Sequence, residues 1–347
     1  MGDILLGLPV LEDLARAFPQ ARIDWLCEEK SAQLLEDHPR IDRLHVFPRR
    51  ALSYHWARPW RWPRALLELA RFFTNLRRYE YDGLLDLQGN LKSSLQVLLA
   101  RSRRKIGFDR RGSREGAWLA VREQVDPGPA RLHRIEKDLR LARALGAPGA
   151  YHRPSLGLDG PRRAAAEGFW QKVPGTGPRL VVHPGSSRRN AYKRWPAERY
   201  GAVVRRLREE TDARVVMIEG PGEEELLHRA AAGGARFTLF PRERSLREAA
   251  ALIGSAHLFL GGDSAPLHLA SLQGIPCVAL FGPKSPARFG PFQVPARILR
   301  HPTSCHPCRL RTCPVPLCVK GIQPEEVVAA VLDLRAETAA AAGGEAP

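Results

Sequence analysis

Much that would place a chain at once is missing from these 347 residues. No run of about 18 uncharged apolar residues occurs, so the sequence offers no membrane-spanning helix. Neither G-x-G-x-x-G nor G-x-x-x-x-G-K-[ST] occurs, which removes the standard dinucleotide fingerprint and the P-loop. No repeat of about 20–50 residues stands out, so a solenoid or propeller is excluded. Residues 1–10 are short, carry Asp3 and lack a charged leader, and the expectation is a cytosolic protein. Acid is the scarce charge: 37 Asp and Glu stand against 54 Lys and Arg, for a net charge of +17. A GC-rich genome explains Arg in place of Lys, but not the excess of base over acid. That excess suits an anionic partner, whether nucleic acid, a membrane surface or a phosphorylated substrate.

What is present alternates in type. PVLEDLARAF at 9–18 has helical periodicity with Pro at its start, ARIDWLCEE reads as a strand, SAQLLEDHP as a short helix and RLHVFP as a strand. An Arg-rich amphipathic helix at 64–78 precedes the strand YDGLLDLQG and the helix LKSSLQVLLARS. Residues 156–178, rich in Gly and Pro around one helix, read as a link. A second series follows, in which RLVVHPG, RVVMIEGPG, RFTLFP, HLFLGGD and CVALFGP are strands separated by helices. Ser245 and Glu248 have capping-box spacing before one of those helices. This order predicts an α/β protein of two Rossmann-like halves facing a central cleft. The expected domains are 1–155 and 179–336, and the Ala-rich tail 337–347 reads as disordered.

The densest chemistry is GGDSAPLHLASLQGIPCVALFGPKSP at 261–286. Asp263 and His268 fall at the carboxyl end of a parallel strand and on the first turns of the next helix, where open α/β sheets bind ligands. The N–H groups of that helix start suit a diphosphate. Asp263 could equally cap the helix, and the two roles are compatible.

G-D-S-A-P-L-H-L-A followed by V-A-L-F-G-P-K-S-P resembles the signature of glycosyltransferase family 9, the ADP-heptose:lipopolysaccharide heptosyltransferases. M-G-D-I-L-L-G-L-P-V at 1–10, D-L-Q-G-N-L-K-S at 86–93 and H-P-G-S-S with K-R-W-P at 183–196 agree with it, in order. The resemblance implies a GT-B fold with the nucleotide sugar held mainly by the C-terminal domain, and an inverting transfer that requires no cofactor. It gives Asp3 the part of catalytic base, in a turn before the first helix; by position alone Asp3 is a helix cap. It gives Lys193 the part of counter-charge to the leaving diphosphate. Ser186, Ser187, Asp263, Ser264, Ala265 and His268 become donor contacts. Among Glu223–Glu225 the resemblance implies one contact to ribose or base, with Glu223 the candidate; all three also suit the acidic first turn of a helix. Gln88, Lys92 and Ser93 are acceptor-side candidates. Family chains carry a strand before the G-D turn, so the resemblance also implies that the natural product starts upstream of Met1.

The basic segments lie in the first half. Eight Arg and one acid, Glu68, fall between Arg49 and Arg78, interleaved with Trp56, Trp60 and Trp62; seven bases and one acid, Asp109, fall between Arg101 and Arg114. Such a surface suits an anionic lipopolysaccharide acceptor at the inner face of the cytoplasmic membrane, whereas no RRM, KH or helix-turn-helix pattern supports nucleic acid. Cys305, Cys308, Cys313 and Cys318 run as C-x2-C-x4-C-x4-C within the loop 305–318, offering a structural zinc site or a disulfide rather than a catalytic metal. Two other functions compete: a sugar-nucleotide epimerase or hydrolase on the same scaffold, and a non-catalytic module for anionic lipid or nucleic acid. The first leaves the acceptor motif unused, the second the Asp3, Lys193 and Asp263 constellation.

Overall fold

The computed structural model describes residues 1–343 apart from Arg242, Pro307, Arg309, Arg311 and Thr312, and gives the backbone alone for Arg188, Arg189, Ala342 and Gly343. The chain forms two compact units that divide at Gly157–Leu158.

The N-terminal unit opens with helix α1 (Gly2–Ala17), then β1 (Asp24–Glu28), α2 (Glu29–Leu35), β2 (Arg43–Phe47), α3 (Arg49–Trp56) and α4 (Trp62–Leu76). It continues through β3 (Glu80–Asp86), α5 (Leu91–Leu99), β4 (Arg101–Phe108), β5 (Glu123–Val125) and α6 (Arg134–Leu145). Helix α1 starts well before the periodic stretch that suggests it, so Pro9 lies inside the helix and Asp3 in its first turn rather than in a preceding loop. An internal Pro removes one hydrogen bond, and burial of Leu5, Leu8, Val10 and Leu11 outweighs that loss. All strand pairs are parallel, in two ladders: β1–β2, and β3–β4–β5. Strand β4 begins inside the stretch that reads as the end of a helix.

The C-terminal unit runs α7 (Gly160–Gln171), β6 (Arg179–His183), α8 (Ala197–Thr211), β7 (Arg214–Ile218), α9 (Glu224–Ala231), β8 (Thr238–Phe240), α10 (Leu246–Gly254) and β9 (Leu258–Gly262). Then follow α11 (Ala265–Leu272), β10 (Cys277–Leu280), α12 (Pro286–Phe289), β11 (Ala296–Leu299), α13 (Leu317–Lys320) and α14 (Pro324–Gly343). One six-stranded parallel sheet has the order β11-β10-β9-β6-β7-β8. The runs LVV, VVM, LFL and CVAL are buried throughout, as strands covered on both faces must be. In the core, Val203, Val204 and Leu207 of α8 and Val327, Val328 and Val331 of α14 pack on Leu180, Val182 and Val215 of the sheet. Ser245 accepts from the Glu248 N–H at 3.1 Å while Glu248 accepts from the Ser245 N–H at 2.8 Å, the reciprocal cap its spacing predicts.

Two stretches are more ordered than composition suggests. Helix α7 belongs to the second unit: the Trp170 indole is buried and donates to Ser255 Oγ at 3.0 Å. Helix α14 carries through 337–343, where a disordered tail is expected, because an Ala run propagates a helix already anchored by its buried Val and Leu residues. Residues 344–347 of that tail lie outside the described residues. No helix among the described residues is long and apolar enough to cross a membrane.

Candidate active site

The order of the six strands reverses between β6 and β9, and the loops leaving those two strands flank a topological switch point. Both carry sequence-selected residues. Beyond His183 at the end of β6, the chain passes Ser186 and Ser187 into a short 3-10 turn, Arg188–Lys193. Trp195 fixes its far end, with the indole buried, donating to the Ile322 carbonyl at 3.1 Å and meeting the Tyr200 ring edge-on at 4.8 Å. The turn sends Lys193 back over the sheet, where its Nζ lies 2.5 Å from Asp263 Oδ2.

Asp263 follows β9. It does not cap α11; that position is Ser264, whose side chain makes no cap bond and instead meets His183 Nδ1 at 3.2 Å. His268 Nε2 stands 4.0 Å from Asp263 Oδ1. Ala265 opens α11, so its backbone belongs to the positive end of that helix. Lys193, Asp263, Ser264, Ala265 and His268 are therefore neighbours. Ser187 is exposed, whereas the buried Ser186 hydroxyl donates to the Asn190 carbonyl at 3.0 Å and accepts from Arg194 Nε at 3.2 Å. Ser186 shapes the loop, and the exposed Ser187 hydroxyl accepts from Asn190 Nδ2 at 3.0 Å.

Glu223 is not part of an acidic helix turn. It turns inward, accepting from the Gly220 N–H at 2.9 Å and lying 3.4 Å from His183 Nε2 and 3.5 Å from Arg194 Nη2. Burial works to raise its pKa, but His183, the Gly220 N–H and Arg194 together hold the carboxyl below its ordinary value. One imidazole thus ties Glu223 to Ser264. His183 and Arg194 join this cluster without having been marked by spacing: His183 meets Glu223 and Ser264, far along the chain, and Arg194 ties Ser186 to Glu223.

A second constellation lies in the N-terminal unit. Asp3 is exposed on the first turn of α1, and its charge acts on Arg134 and Asp138 of α6. Arg134 donates through Nε to both oxygens of Asp138 at 2.9 and 2.8 Å, and through Nη2 to the Leu87 carbonyl at 2.5 Å. Burial pushes the Asp138 carboxyl up to about 6 against the pull of Arg134. Leu87 leads into the loop of Gln88, Lys92 and Ser93, which Asp86 organises. The buried Asp86 carboxylate accepts from the Gln88 and Gly89 N–H groups at 3.0 Å each and from Ser93 Oγ at 2.9 Å. Gly89 takes φ +57°, the left-handed turn that glycine permits. Ser93 is engaged further in a capping box with Asn90, so its hydroxyl supports the loop, while Gln88 and Lys92 are exposed. Arg134 and Asp86 were not singled out by sequence; the Asp preceding Q-G was the signal for the latter.

Cys305, Cys308, Cys313 and Cys318 are free thiols lining one surface cavity. Burial, then the three neighbouring thiols, raises the Cys318 pKa. Among the described residues no group of three His, Cys, Asp or Glu side chains is placed to hold a metal ion, and the four thiols are unpaired.

Two α/β units, one carrying a cation and carboxylate at a Rossmann switch point and the other a polar loop organised by Asp86, define a nucleotide-sugar-type glycosyltransferase. Residues 69–318 match the model of glycosyltransferase family 9 (heptosyltransferase), and the chain belongs to that family. It is 29% identical to lipopolysaccharide heptosyltransferase 1 of Pseudomonas aeruginosa, covering 97% of this chain and 89% of the relative. A family 9 glycosyltransferase structure from Veillonella parvula superposes with a TM-score of 0.81 at 23% identity, covering 97% of this chain and 95% of the other. The E. coli heptosyltransferase WaaC with ADP gives 0.75 at 24% identity, covering 96% and 97%. The fold is GT-B, and the protein is a glycosyltransferase.

Proposed function

We propose that the protein transfers a heptose, with inversion, from ADP-heptose to the core of lipopolysaccharide. The observation that carries the reading is the Lys193–Asp263 pair at the switch point. Asp3 takes the proton of the acceptor hydroxyl, whose oxygen attacks the anomeric carbon as the bond to the diphosphate breaks. Lys193, the Ser187 hydroxyl and the start of α11 receive the charge that develops on the departing diphosphate. Asp263 and His268 face the sugar and phosphates, Glu223 braces the donor loop from beneath, and Gln88 and Lys92 meet the acceptor. With these cations in place the transfer needs no metal. The relatives covering most of the chain are lipopolysaccharide heptosyltransferases, which supports the transferred sugar and the acceptor. We place the protein in the cytoplasm, peripheral to the inner face of the membrane, because the acceptor is lipid-anchored and the chain is strongly basic.

Transfer of labelled sugar from ADP-, GDP- and UDP-sugars to deep-rough lipopolysaccharide tests the reading. Transfer from ADP-heptose is expected; transfer only from another donor, or hydrolysis without transfer, overturns it. Replacing Asp3 with Asn should lower kcat by about 100-fold or more, and full activity would remove Asp3 from the role of base.

A further inference from the structure

The segment from α3 through the 3-10 turn Pro59–Arg61 into α4 turns its aromatic side chains to solvent. Trp60, at the apex, is 76% exposed, Trp56 and Trp62 are about half exposed, and Leu66 and Leu67 extend the apolar strip along α4. The Trp residues form one platform: Trp62 Nε1 donates to the Trp56 carbonyl at 3.2 Å, and the two rings lie 6.0 Å apart. Arg58 and Arg61 flank it, their guanidinium carbons 4.1 and 4.7 Å from the Tyr54 ring centre. Glu68, the one acid of the segment, stands 3.3 Å from His55 and so does not oppose an anionic partner at the apex.

Packing in the N-terminal unit leaves this strip uncovered, and an exposed apolar patch rimmed by cations is an interaction surface. A single nucleic-acid strand would use the arginines and stack on the indoles, but it would gain nothing from Leu66 and Leu67. A bilayer uses all three classes: aliphatic side chains reach the acyl boundary, indoles sit among headgroups, and Arg stems lie along the apolar layer with their charges on lipid phosphates. We propose that the α3–α4 segment docks the protein on an anionic lipid bilayer, with Trp60 seated in the headgroup layer. This rests on the membrane-peripheral reading above and names the element that makes the contact.

The test is co-sedimentation of the full chain with vesicles rich in phosphatidylglycerol and with vesicles of phosphatidylcholine alone. Binding to the anionic vesicles only, weakening with salt, is expected. Trp60→Ser should lower the apparent affinity at least about fivefold, and Arg58→Glu with Arg61→Glu at least about tenfold. Brominated acyl chains should quench the tryptophan fluorescence of the unsubstituted protein, a readout that needs no variant to fold. Absence of binding to anionic vesicles, unaltered binding by folded Trp60→Ser, absence of quenching, or displacement of the vesicles by single-stranded oligonucleotide overturns the proposal. A chain that transfers heptose but ignores vesicles sinks this inference and leaves the function standing; one that binds vesicles but transfers no sugar does the reverse.

Discussion

Lys193 Nζ and Asp263 Oδ2 lie 2.5 Å apart, with side-chain exposures of 11% and 10%. The carboxylate holds the ammonium at the switch point before any phosphate arrives. Losing either partner strands the other in a poorly hydrated place. Lys193→Met and Asp263→Ala should each cost about 3 kcal/mol of stability, with the double variant losing less than the sum. Turnover should separate from stability: every variant lacking Lys193 should fall about 100- to 1000-fold in kcat. Urea unfolding and steady-state kinetics on the three proteins measure both, and additive stability losses would show that the pair is not coupled.

The inward turn of Glu223 makes a second prediction. Its folded pKa lies below the ordinary value, so its contribution to stability is present above the unfolded pKa of about 4.3 and is lost as pH falls through the folded value. Glu223→Gln should therefore destabilise the protein at pH 7 and converge with the unsubstituted protein in acid. Gly185→Ala should act on the same brace from the other side, since a Cβ there overlaps the Glu223 carboxylate. We expect it to raise the donor KM several-fold with little change in kcat. Denaturation at several pH values tests the first point and donor titration the second.

The C-terminal half was the more legible in sequence because its strands are buried on both faces and write themselves as apolar runs. The N-terminal half hides its strands. RSRRK opens β4, yet reads as surface charge; in the structure Arg104 lies across the ladder, bonding Glu123 of β5 at 2.8 and 2.7 Å and the Ala144 carbonyl at 2.7 Å. Partnered charge lines the first half of that strand, and the buried Ile106 and Phe108 at its far end pack on Leu141 of α6. The site follows the same rule. Asp263, Lys193 and His268 are visible as motifs, whereas His183 acts through Glu223 and Ser264, partners tens of residues away that no spacing encodes.

Asp86 is the clearest residue that motif reading passes over. One carboxylate gathers two backbone N–H groups and the Ser93 hydroxyl, so it sets the shape of the loop that presents Gln88 and Lys92. Asp86→Ala leaves those donors unpaired and should cost about 1–3 kcal/mol. The functional effect should fall on the acceptor side: acceptor KM rises about tenfold or more while donor KM holds. Asp86→Asn keeps two acceptor lone pairs and should recover part of the loss. Separate titration of each substrate decides it, since a purely structural defect would move both constants together.

Asp138 makes the pH dependence of the N-terminal unit testable. Burial raises its pKa to about 6, while Arg134 and Lys137 pull it down and Asp3 pushes it up. Its unfolded value is about 3.9, so between the two the folded protein binds the proton more tightly. Its stabilising contribution is therefore full below about pH 4 and is lost as pH rises through 6. Asn in its place does not titrate. The stability difference between the unsubstituted protein and Asp138→Asn should therefore shift against the unsubstituted protein by roughly 2 kcal/mol from pH 4 to pH 7. Arg134, left with a neutral partner in the variant, offsets both ends of that range alike and does not change the slope. Urea denaturation across the range measures it; a difference independent of pH would mean that the Arg134–Asp138 bond keeps the carboxylate ionised despite its burial.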